Sequence, residues 1–444
     1  MPKTIFITSF HPLISRNILQ TKLLTLLAVE NNKVVILVPD FKKDYFVRSF
    51  GGRNVFIEGV NTDLTKKDLF FRKLTLTLTP TRALYIKKRS KFYQDKNIFK
   101  FLFSFLPAYL FGRFNYCLKL ARFFDYFFLN QKTFKPLLDA YNPDLIFATD
   151  VQNELDVRLL QEARKIGLRT IGMVRSWDNL TTKGILRIIP DHLVVHNEII
   201  KKEAMQYSHV SDRRISVIGI PHYDRYLENP TRTKEEFFRD YDFDINKKLI
   251  IVGPVGNRYI HENQTDKATL ETLSELDLNI LVRIPPCDVV DYEGFKSKKA
   301  KAAFDKPGFS AWKGGRKLNE MSRGDEDTLI NSIYWSDAVV SHLSSMCIDA
   351  AFFDKPIVVI GTAFTPHVYW DVINYYHDYY EHIQPILRSG GIKIVNSPAE
   401  LLAAVNIYLQ NPSLDTAGRQ RIVREQVQFL DGRATKRLAD IILA

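Results

Sequence analysis

The strongest constraint on the fold is a regular alternation of short apolar runs with helical stretches. In the first half, we predict strands at residues 4–10, 33–39, 54–60, 144–149, 169–174, 192–196 and 215–220. Apolar residues at helical spacing lie between them, as at 14–30 and 153–165. This alternation is typical of a parallel sheet with crossover helices, and wholly apolar strands indicate that both sheet faces are covered.

The same pattern restarts near residue 248. Predicted elements of the second half are strands at 248–252, 279–284, 337–342 and 356–361, and helices at 325–335, 344–353, 400–409 and 418–442. A charged, irregular segment at 221–244 joins the halves.

We therefore expect an α/β protein with two doubly wound Rossmann-like domains that face each other across a cleft. The predicted domains are 1–225, with a helical insert at 66–140, and 226–444, whose last helix packs back towards the first domain. Ligands of open α/β sheets bind outside the carboxyl ends of the strands, so the loops that follow strands are where functional residues are expected.

The insert carries the whole charge imbalance of the chain. The 444 residues have a net charge of +12, and residues 66–135 contain 16 Lys and Arg against three Asp. The same segment holds 19 of the 55 aromatic residues. The remainder of the chain is therefore close to neutral.

Three interpretations of the insert are open. Its cations and aromatic rings suit an anionic membrane surface, or the phosphates and bases of a nucleic acid. Alternatively, its helices pack on the first domain with Phe inside and Lys outside, which the helical spacing of Phe123, Phe124, Phe127 and Phe128 favours for part of it. No nucleic-acid-binding module is recognisable, so we expect no nucleic-acid partner. We expect packed helices that present a basic, partly apolar face to a membrane.

Composition and spacing exclude other classes. The apolar stretch 98–111 has 14 residues and contains Lys100 and Pro107, whereas a membrane span needs ~20 apolar residues. The first residues enter a strand pattern without the features of a signal peptide. Three widely spaced cysteines suit a reducing compartment. We expect a cytoplasmic protein, peripheral at the inner membrane face, with no metal site and no resident cofactor.

The stretch SDAVVSHLSSMCIDAAFFDKPIVVIG, residues 336–361, carries the strongest candidate site. A predicted strand ends at His342, and Ser344 and Ser345 then open a helix. Unpaired N–H groups and the positive dipole end at a helix start suit a nucleotide diphosphate. A plain N-cap role for Ser344 explains the same residues equally well.

This stretch resembles the donor-binding element of GT-B glycosyltransferases. The similarity is greatest to the branch that contains CDP-glycerol glycerophosphotransferases and surface-polysaccharide transferases, which FLDGRATKRLADII at 429–442 also resembles. The resemblance covers about 140–225 and 330–444. It implies that Ser344 and Ser345 contact donor phosphate and that Asp349 contacts ribose or sugar hydroxyls. A solvated helix residue is the alternative for Asp349.

The loop MVRSWDNLTTKG, residues 173–184, is the candidate acceptor site. Asp178 stands where the branch has the His of a Trp-His-Gly turn, which acts as a base. A carboxylate beside Trp177 could take that role, because desolvation raises carboxyl pKa values. An Asx-turn is the alternative. The departure from His casts doubt on glycerol phosphate as the transferred group.

Further candidates follow other strands. Gly253, Gly256 and Asn257 lie in GPVGN, and Arg283 ends a strand in VRIPP, so we expect both loops at the donor diphosphate. A plain turn is an equal alternative for GPVGN. Relatives often have a His where VRIPP has Pro285.

Two histidines complete the set. His11, in TSFHPLISR, is a candidate contact of the acceptor or an alternative base to Asp178. A structural role at the start of a helix is the other interpretation. His367 is a donor contact. TSFHPLISR lacks G-x-G-x-x-G, which argues against NAD binding, and we assign His222 and Asp224 a structural role.

The predicted function is that of an inverting glycosyltransferase that moves a sugar from a nucleotide-activated donor to an acceptor hydroxyl. The acceptor would be lipid-linked or a glycan, in surface-polysaccharide or glycolipid synthesis. A CDP-glycerol-type polyol-phosphate transferase, a nucleotide-sugar epimerase and a non-catalytic membrane-surface binding protein remain alternatives.

Overall fold

The computed structural model describes residues 2–128, 132–257, 263–286, 288–309, 319–361, 364 and 380–444. The chain divides into two compact units. The first comprises Met1–Lys88, Asn97–Leu227 and Gln428–Ala444, and the second comprises Arg89–Lys96 and Glu228–Val427.

Each unit is built on a parallel sheet. The strands of the first unit are β1 Thr4–Thr8, β2 Lys33–Pro39, β3 Val55–Val60, β4 Leu145–Ala148, β5 Arg169–Met173, β6 His192–Val195 and β7 Ile215–Val217. They lie in the order β3-β2-β1-β4-β5-β6-β7. Those of the second unit are β8 Leu249–Gly253, β9 Asn279–Arg283, β10 Lys301–Asp305, β11 Ala338–Ser341, β12 Ile357–Ile360 and β13 Lys393–Val395. Their order, β10-β9-β8-β11-β12-β13, is that of a Rossmann sheet.

Helices cover the sheets and form the insert. The described α-helices are α1 Leu23–Leu27, α2 Lys43–Phe50, α3 Lys66–Leu78, α4 Arg82–Asp95, α5 Ile98–Leu110, α6 Asn115–Phe127, α7 Lys135–Tyr141, α8 Glu154–Lys165, α9 Asn179–Thr182, α10 Glu198–Ser208, α11 Lys234–Asp240, α12 Thr265–Leu273, α13 Arg323–Trp335, α14 Ser345–Phe352, α15 Gln384–Leu387, α16 Pro398–Gln410, α17 Thr416–Ile422 and α18 Ala434–Leu443. Short 3-10 and π segments lie at Val29–Asn31, Asp40–Lys42, Asp212–Arg214, Pro221–Leu227, Ser15–Leu19 and Val423–Val427.

The predicted α/β class with two doubly wound Rossmann-like domains is confirmed, and all eleven predicted strands are present. The sequence did not reveal β10 and β13. Both lie at sheet edges, where one side of a strand lacks a neighbour, so their residues are partly exposed and lack a continuous apolar run.

Two long helices predicted at 14–30 and 418–442 are wrong in extent. The first is broken into a π segment, α1 and a 3-10 turn, with the Thr21 hydroxyl bonded to the carbonyl of Ile18 at the break. The second is interrupted at 428–433, where Gln428 and Gly432 have positive φ. The final helix, α18, then begins afresh, because both oxygens of Asp224 accept backbone N–H bonds at its start.

The insert is held to the first unit by buried ion pairs. Arg187, in the segment after α9, donates through Nε and Nη2 to the carboxylate of Asp125 in α6, at 2.8 and 2.9 Å. Arg158 of α8 pairs with Asp68 of α3 at 2.5 Å. Lys67 lies 3.5 Å from Asp125. Two of the three acidic residues of 66–135 therefore anchor α3 and α6.

The outer faces of α5 and α6 are apolar and exposed. Phe103 is 78% exposed and Tyr116 is 75% exposed. Exposed large side chains recur at helical spacing on both helices: Ile98, Phe99, Leu102, Leu106, Tyr109 and Leu110 on α5, and Leu120, Phe123, Phe124 and Phe127 on α6. The interpretation that packs the rings of 123–128 inside is therefore wrong, because α6 packs through Leu118 and Asp125 instead. Across the described ranges, no helix has the length and apolar character that crossing a bilayer would require.

We expect Arg187→Ala to lower the free energy of unfolding by about 3 kcal/mol, because it leaves the Asp125 carboxylate buried with only Lys67 near it. Urea unfolding followed by circular dichroism measures the change. The matched control is Lys135→Ala, which breaks an exposed pair with Asp139 and should cost less than about 0.5 kcal/mol. Equal costs for the two variants would contradict the anchoring role of Arg187.

Candidate functional site

The carboxyl ends of β1 and β4 meet where the strand order of the first sheet reverses. The Thr8 and Thr149 hydroxyls lie 3.1 Å apart, and Thr149 N–H donates to the Thr8 hydroxyl at 2.9 Å. Asp150 is the next residue after Thr149. Such a reversal point opens a crevice at the carboxyl edge, where open α/β sheets bind ligands.

A buried carboxylate and guanidinium form the centre of this edge. Arg175, two residues after β5, donates through Nε to Asp150 at 2.7 Å. Asn179 donates to the other oxygen at 3.4 Å. Burial would raise the pKa of the Asp150 carboxyl, but the charges of Arg175 and Lys183 hold that pKa below its usual range. Asp150 is therefore an ionised structural partner of Arg175.

His11 is half-buried, and the charges of Arg175, Asp150 and Lys183 act on its ring. Leu13 N–H donates to its Nδ1 at 3.2 Å, so the neutral ring carries its proton on Nε2. Burial lowers the pKa of the His11 imidazole to about 3, and the charges of Arg175 and Lys183 act in the same direction. Its ring is therefore neutral at pH 7 and is suited to donate a hydrogen bond through Nε2.

Asp178 is the half-buried carboxylate of the same loop. It receives hydrogen bonds from the Ser176 hydroxyl at 2.7 Å and from the Thr182 hydroxyl at 3.2 Å. Trp177 packs against the core.

Sequence reasoning did not single out Asp150 or Arg175. Asp150 could have been found from the rule used for the other candidates, since it comes directly after a predicted strand. Arg175 was inside the quoted loop 173–184, but its pairing with a residue 25 positions away is visible only in the fold.

In the second unit, the strand order reverses between β8 and β11. The loop after β8 is hydrogen-bonded to a carboxylate of the same unit. The N–H groups of Val255 and Gly256 donate to Asp266 at 3.0 and 2.9 Å. Asn257 N–H donates to the carbonyl of Val289 at 3.1 Å. These three backbone donors, which we expected near donor phosphate, thus have partners within the protein.

Gly253 and Arg283 are also engaged by neighbouring residues. A Cβ on Gly253 would lie 2.5 Å from Sδ of Met346 and 2.8 Å from the Ser341 hydroxyl, so the glycine allows β8 to pack closely. The buried Arg283 guanidinium pairs with Asp305 and donates to the carbonyl of Asp325 at 2.7 Å. The role of both residues in donor binding stays a prediction.

The start of α14 is the open part of this edge. Ser344 is the N-cap, and its hydroxyl accepts from Met346 N–H at 3.3 Å. Ser345 is exposed, whereas Asp349 is buried, so the solvated alternative for Asp349 is wrong. His367 lies outside the described residues.

Among the residues that the structure describes, no group of three or more His, Cys, Asp or Glu side chains is arranged to hold a metal ion.

The chain matches a family of known proteins over more than half of its length. The model for the family described as CDP-Glycerol:Poly(glycerophosphate) glycerophosphotransferase matches residues 168–444. No curated protein sequence matches the chain.

Solved structures resemble the whole chain at low sequence identity. UDP-GlcNAc 2-epimerase from Neisseria meningitidis bound to UDP-GlcNAc has 10% identity and a TM-score of 0.55, with 99% of each chain covered. A glycosyltransferase from Rickettsia africae has 12% identity and a TM-score of 0.51, covering 100% of this chain and 99% of that one. UDP-GlcNAc 2-epimerase from Methanocaldococcus jannaschii has 13% identity and a TM-score of 0.50, covering 96% and 99%. These likenesses show the fold, two Rossmann-like domains of the GT-B class.

We expect Gly256→Ala to lower the melting temperature more than Gly167→Ala does. Both glycines have positive φ, +79° and +70°, which costs an L-residue about 1 kcal/mol. Only at Gly256 would the new Cβ also collide, at 2.4 Å from Oδ2 of Asp288. At Gly167, no heavy atom of the described residues lies within 4 Å. Thermal unfolding of both variants measures the difference. Equal shifts in melting temperature would show that the loop after β8 accommodates the new Cβ without loss of stability.

Proposed function

The chain belongs to the CDP-glycerol:poly(glycerophosphate) glycerophosphotransferase family, and on that premise we propose that it moves a sugar from a nucleotide-activated donor to an acceptor hydroxyl. Family and fold together make it a GT-B-type transferase. The proposed donor is a nucleotide sugar, as the substrate named for the Neisseria structure suggests.

The observation that carries the proposal is the start of α14 at the reversal point of the second sheet. Ser344 caps this helix and Ser345 is exposed beside it, directly after the central strand β11. The unpaired N–H groups and the dipole of a helix start favour an anion by roughly 0.3–2 kcal/mol. A phosphate of the donor is the group that fits this position.

On the acceptor side, Asp178 is the proposed base. Asp150 is fully engaged by Arg175 and buried, and His11 is too weak a base with a pKa of about 3. Asp178 is the half-buried carboxylate of the same loop, where it accepts a hydrogen bond from the Ser176 hydroxyl at 2.7 Å. We propose that His11 instead orients the acceptor by donating through Nε2.

The proposed reaction inverts the anomeric centre in one displacement, in which the deprotonated hydroxyl attacks and the nucleoside diphosphate leaves. The developing negative charge of the diphosphate would be stabilised by the start of α14. The proposed mechanism therefore assigns no step to a metal ion or resident cofactor.

The exposed apolar faces of α5 and α6 support membrane binding by the insert. Apolar side chains on an interfacial helix enter the lipid boundary while cations meet anionic head groups. The insert combines both features, since residues 66–135 contain 16 Lys and Arg against three Asp. We propose peripheral binding at the inner membrane face and a lipid-linked acceptor in surface-polymer synthesis.

A CDP-glycerol donor is the second candidate, because the family model that matches residues 168–444 is named for it. The two positions where the resemblance implies His, occupied here by Asp178 and Pro285, favour the sugar donor instead.

A panel of UDP-, CDP-, GDP- and dTDP-linked sugars together with CDP-glycerol tests the donor. We expect a nucleotide sugar to raise the melting temperature more than CDP-glycerol does, because a ligand that binds only the native state stabilises it. A larger shift with CDP-glycerol supports the second candidate, and no shift with any compound contradicts donor binding altogether.

With the donor found, we expect Asp178→Asn to lower kcat about 10²–10⁴-fold, since the amide cannot accept the acceptor proton. The donor-dependent melting shift should persist. Asp212→Asn, which alters an exposed pair with Lys201 in the same unit, is the control and should keep full activity. Retention of most activity by Asp178→Asn would show that the base lies elsewhere.

We expect the protein to float with vesicles that contain anionic lipid and to bind purely zwitterionic vesicles weakly. Replacement of Phe99 and Phe103 by Ser removes two exposed rings from α5 and should reduce the bound fraction. Phe41→Ser removes a ring that is also exposed but lies outside the insert, and should leave binding unchanged. Equal binding by all three proteins would contradict insertion of α5.

A further inference from the structure

We propose that His342, oriented by Asp266, binds a phosphate of the donor next to the start of α14. This inference rests on the proposed function only in its premise that the second unit binds a nucleotide-activated donor. His342 was not among the residues that sequence reasoning placed at the donor site.

The His342 ring is fixed from one side. Its Nε2 lies 3.5 Å from Oδ1 of Asp266, across the reversal point of the sheet. Asp266 is in turn immobilised by the N–H groups of Val255 and Gly256 and by the Asn263 amide, which donates at 2.6 Å. The loop after β8 therefore fixes the position of Asp266, and the Asp266 carboxylate in turn orients the imidazole of His342.

The other ring nitrogen of His342 is unused. The residue is 7% exposed, and within the described parts of the chain its Nδ1 has no hydrogen-bond partner. A buried polar atom without a partner carries a desolvation penalty that a ligand atom can remove. Because Asp266 already occupies Nε2, the ligand atom must meet Nδ1.

The position of His342 in the fold indicates that its ligand is anionic. His342 directly follows β11, and Ser344 begins the capped turn of α14 two residues later. A phosphate at this edge would form a hydrogen bond with Nδ1, together with bonds from the N–H groups of the helix start.

The test compares UDP and CDP with uridine and cytidine as ligands in thermal-shift and calorimetric titrations. The diphosphates should bind wild-type protein more tightly than the nucleosides. His342→Gln places an amide near the former Nε2 and can keep the bond to Asp266, but has no group at Nδ1. We expect it to weaken diphosphate binding about 10- to 100-fold, as expected for loss of one charge-assisted hydrogen bond, and to leave nucleoside binding unchanged.

His342→Asn places an amide near Nδ1 and should retain more diphosphate affinity than His342→Gln, which a purely structural role would not produce. His222→Gln is the control. His222 is also 7% exposed, and its Nδ1 has no hydrogen-bond partner among the residues that the structure describes, but it belongs to the first unit. Wild-type affinity for diphosphates in His342→Gln, or an equal loss in both His342 variants, overturns the inference alone. Failure of every nucleotide to bind the wild type overturns the proposed function and this inference with it.

Discussion

Parallel pairing of β1 with β4 and of β8 with β11 is the constraint on which both candidate sites depend. These central strands are buried on both faces, so their side chains are almost wholly apolar and cannot carry chemistry. Polar groups can enter only where a strand ends. Because all strands of a sheet run in the same direction, their carboxyl ends gather those groups at one edge.

The two edges stabilise their buried carboxylates differently. In the first unit, Asp150 is ion-paired with Arg175. Burial, assisted by the charge of Arg175, lowers the pKa of His11 and so keeps its imidazole neutral. In the second unit, Asp266 is held mainly by backbone N–H groups, and its nearest ionisable neighbour is His342. The two candidate sites therefore differ in the groups that surround their buried carboxylates.

The residue pattern alone predicted the α/β class, the parallel sheets, eleven strands and the loops that hold the candidate sites. It predicted less well where elements break. The restart of the last helix after the turn at Gln428 and Gly432, for example, is capped by Asp224, about 200 positions earlier in the chain. Edge strands escaped detection because partial exposure leaves no continuous apolar signal. The sequence showed that the insert is basic and aromatic. It did not show which of the aromatic rings are exposed.

The sequence by itself determined which residues could lie at the strand ends, because apolar periodicity is a local property of the chain. The partners of those residues were decided only by the tertiary structure. Arg175 with Asp150, Arg283 with Asp305 and His342 with Asp266 are pairs between residues of separate strands, helices or the loops that follow them. Their formation depends on strand order and on burial, which excludes water and makes each charge require a specific neighbour. Neither property is encoded in the spacing of residues along the chain.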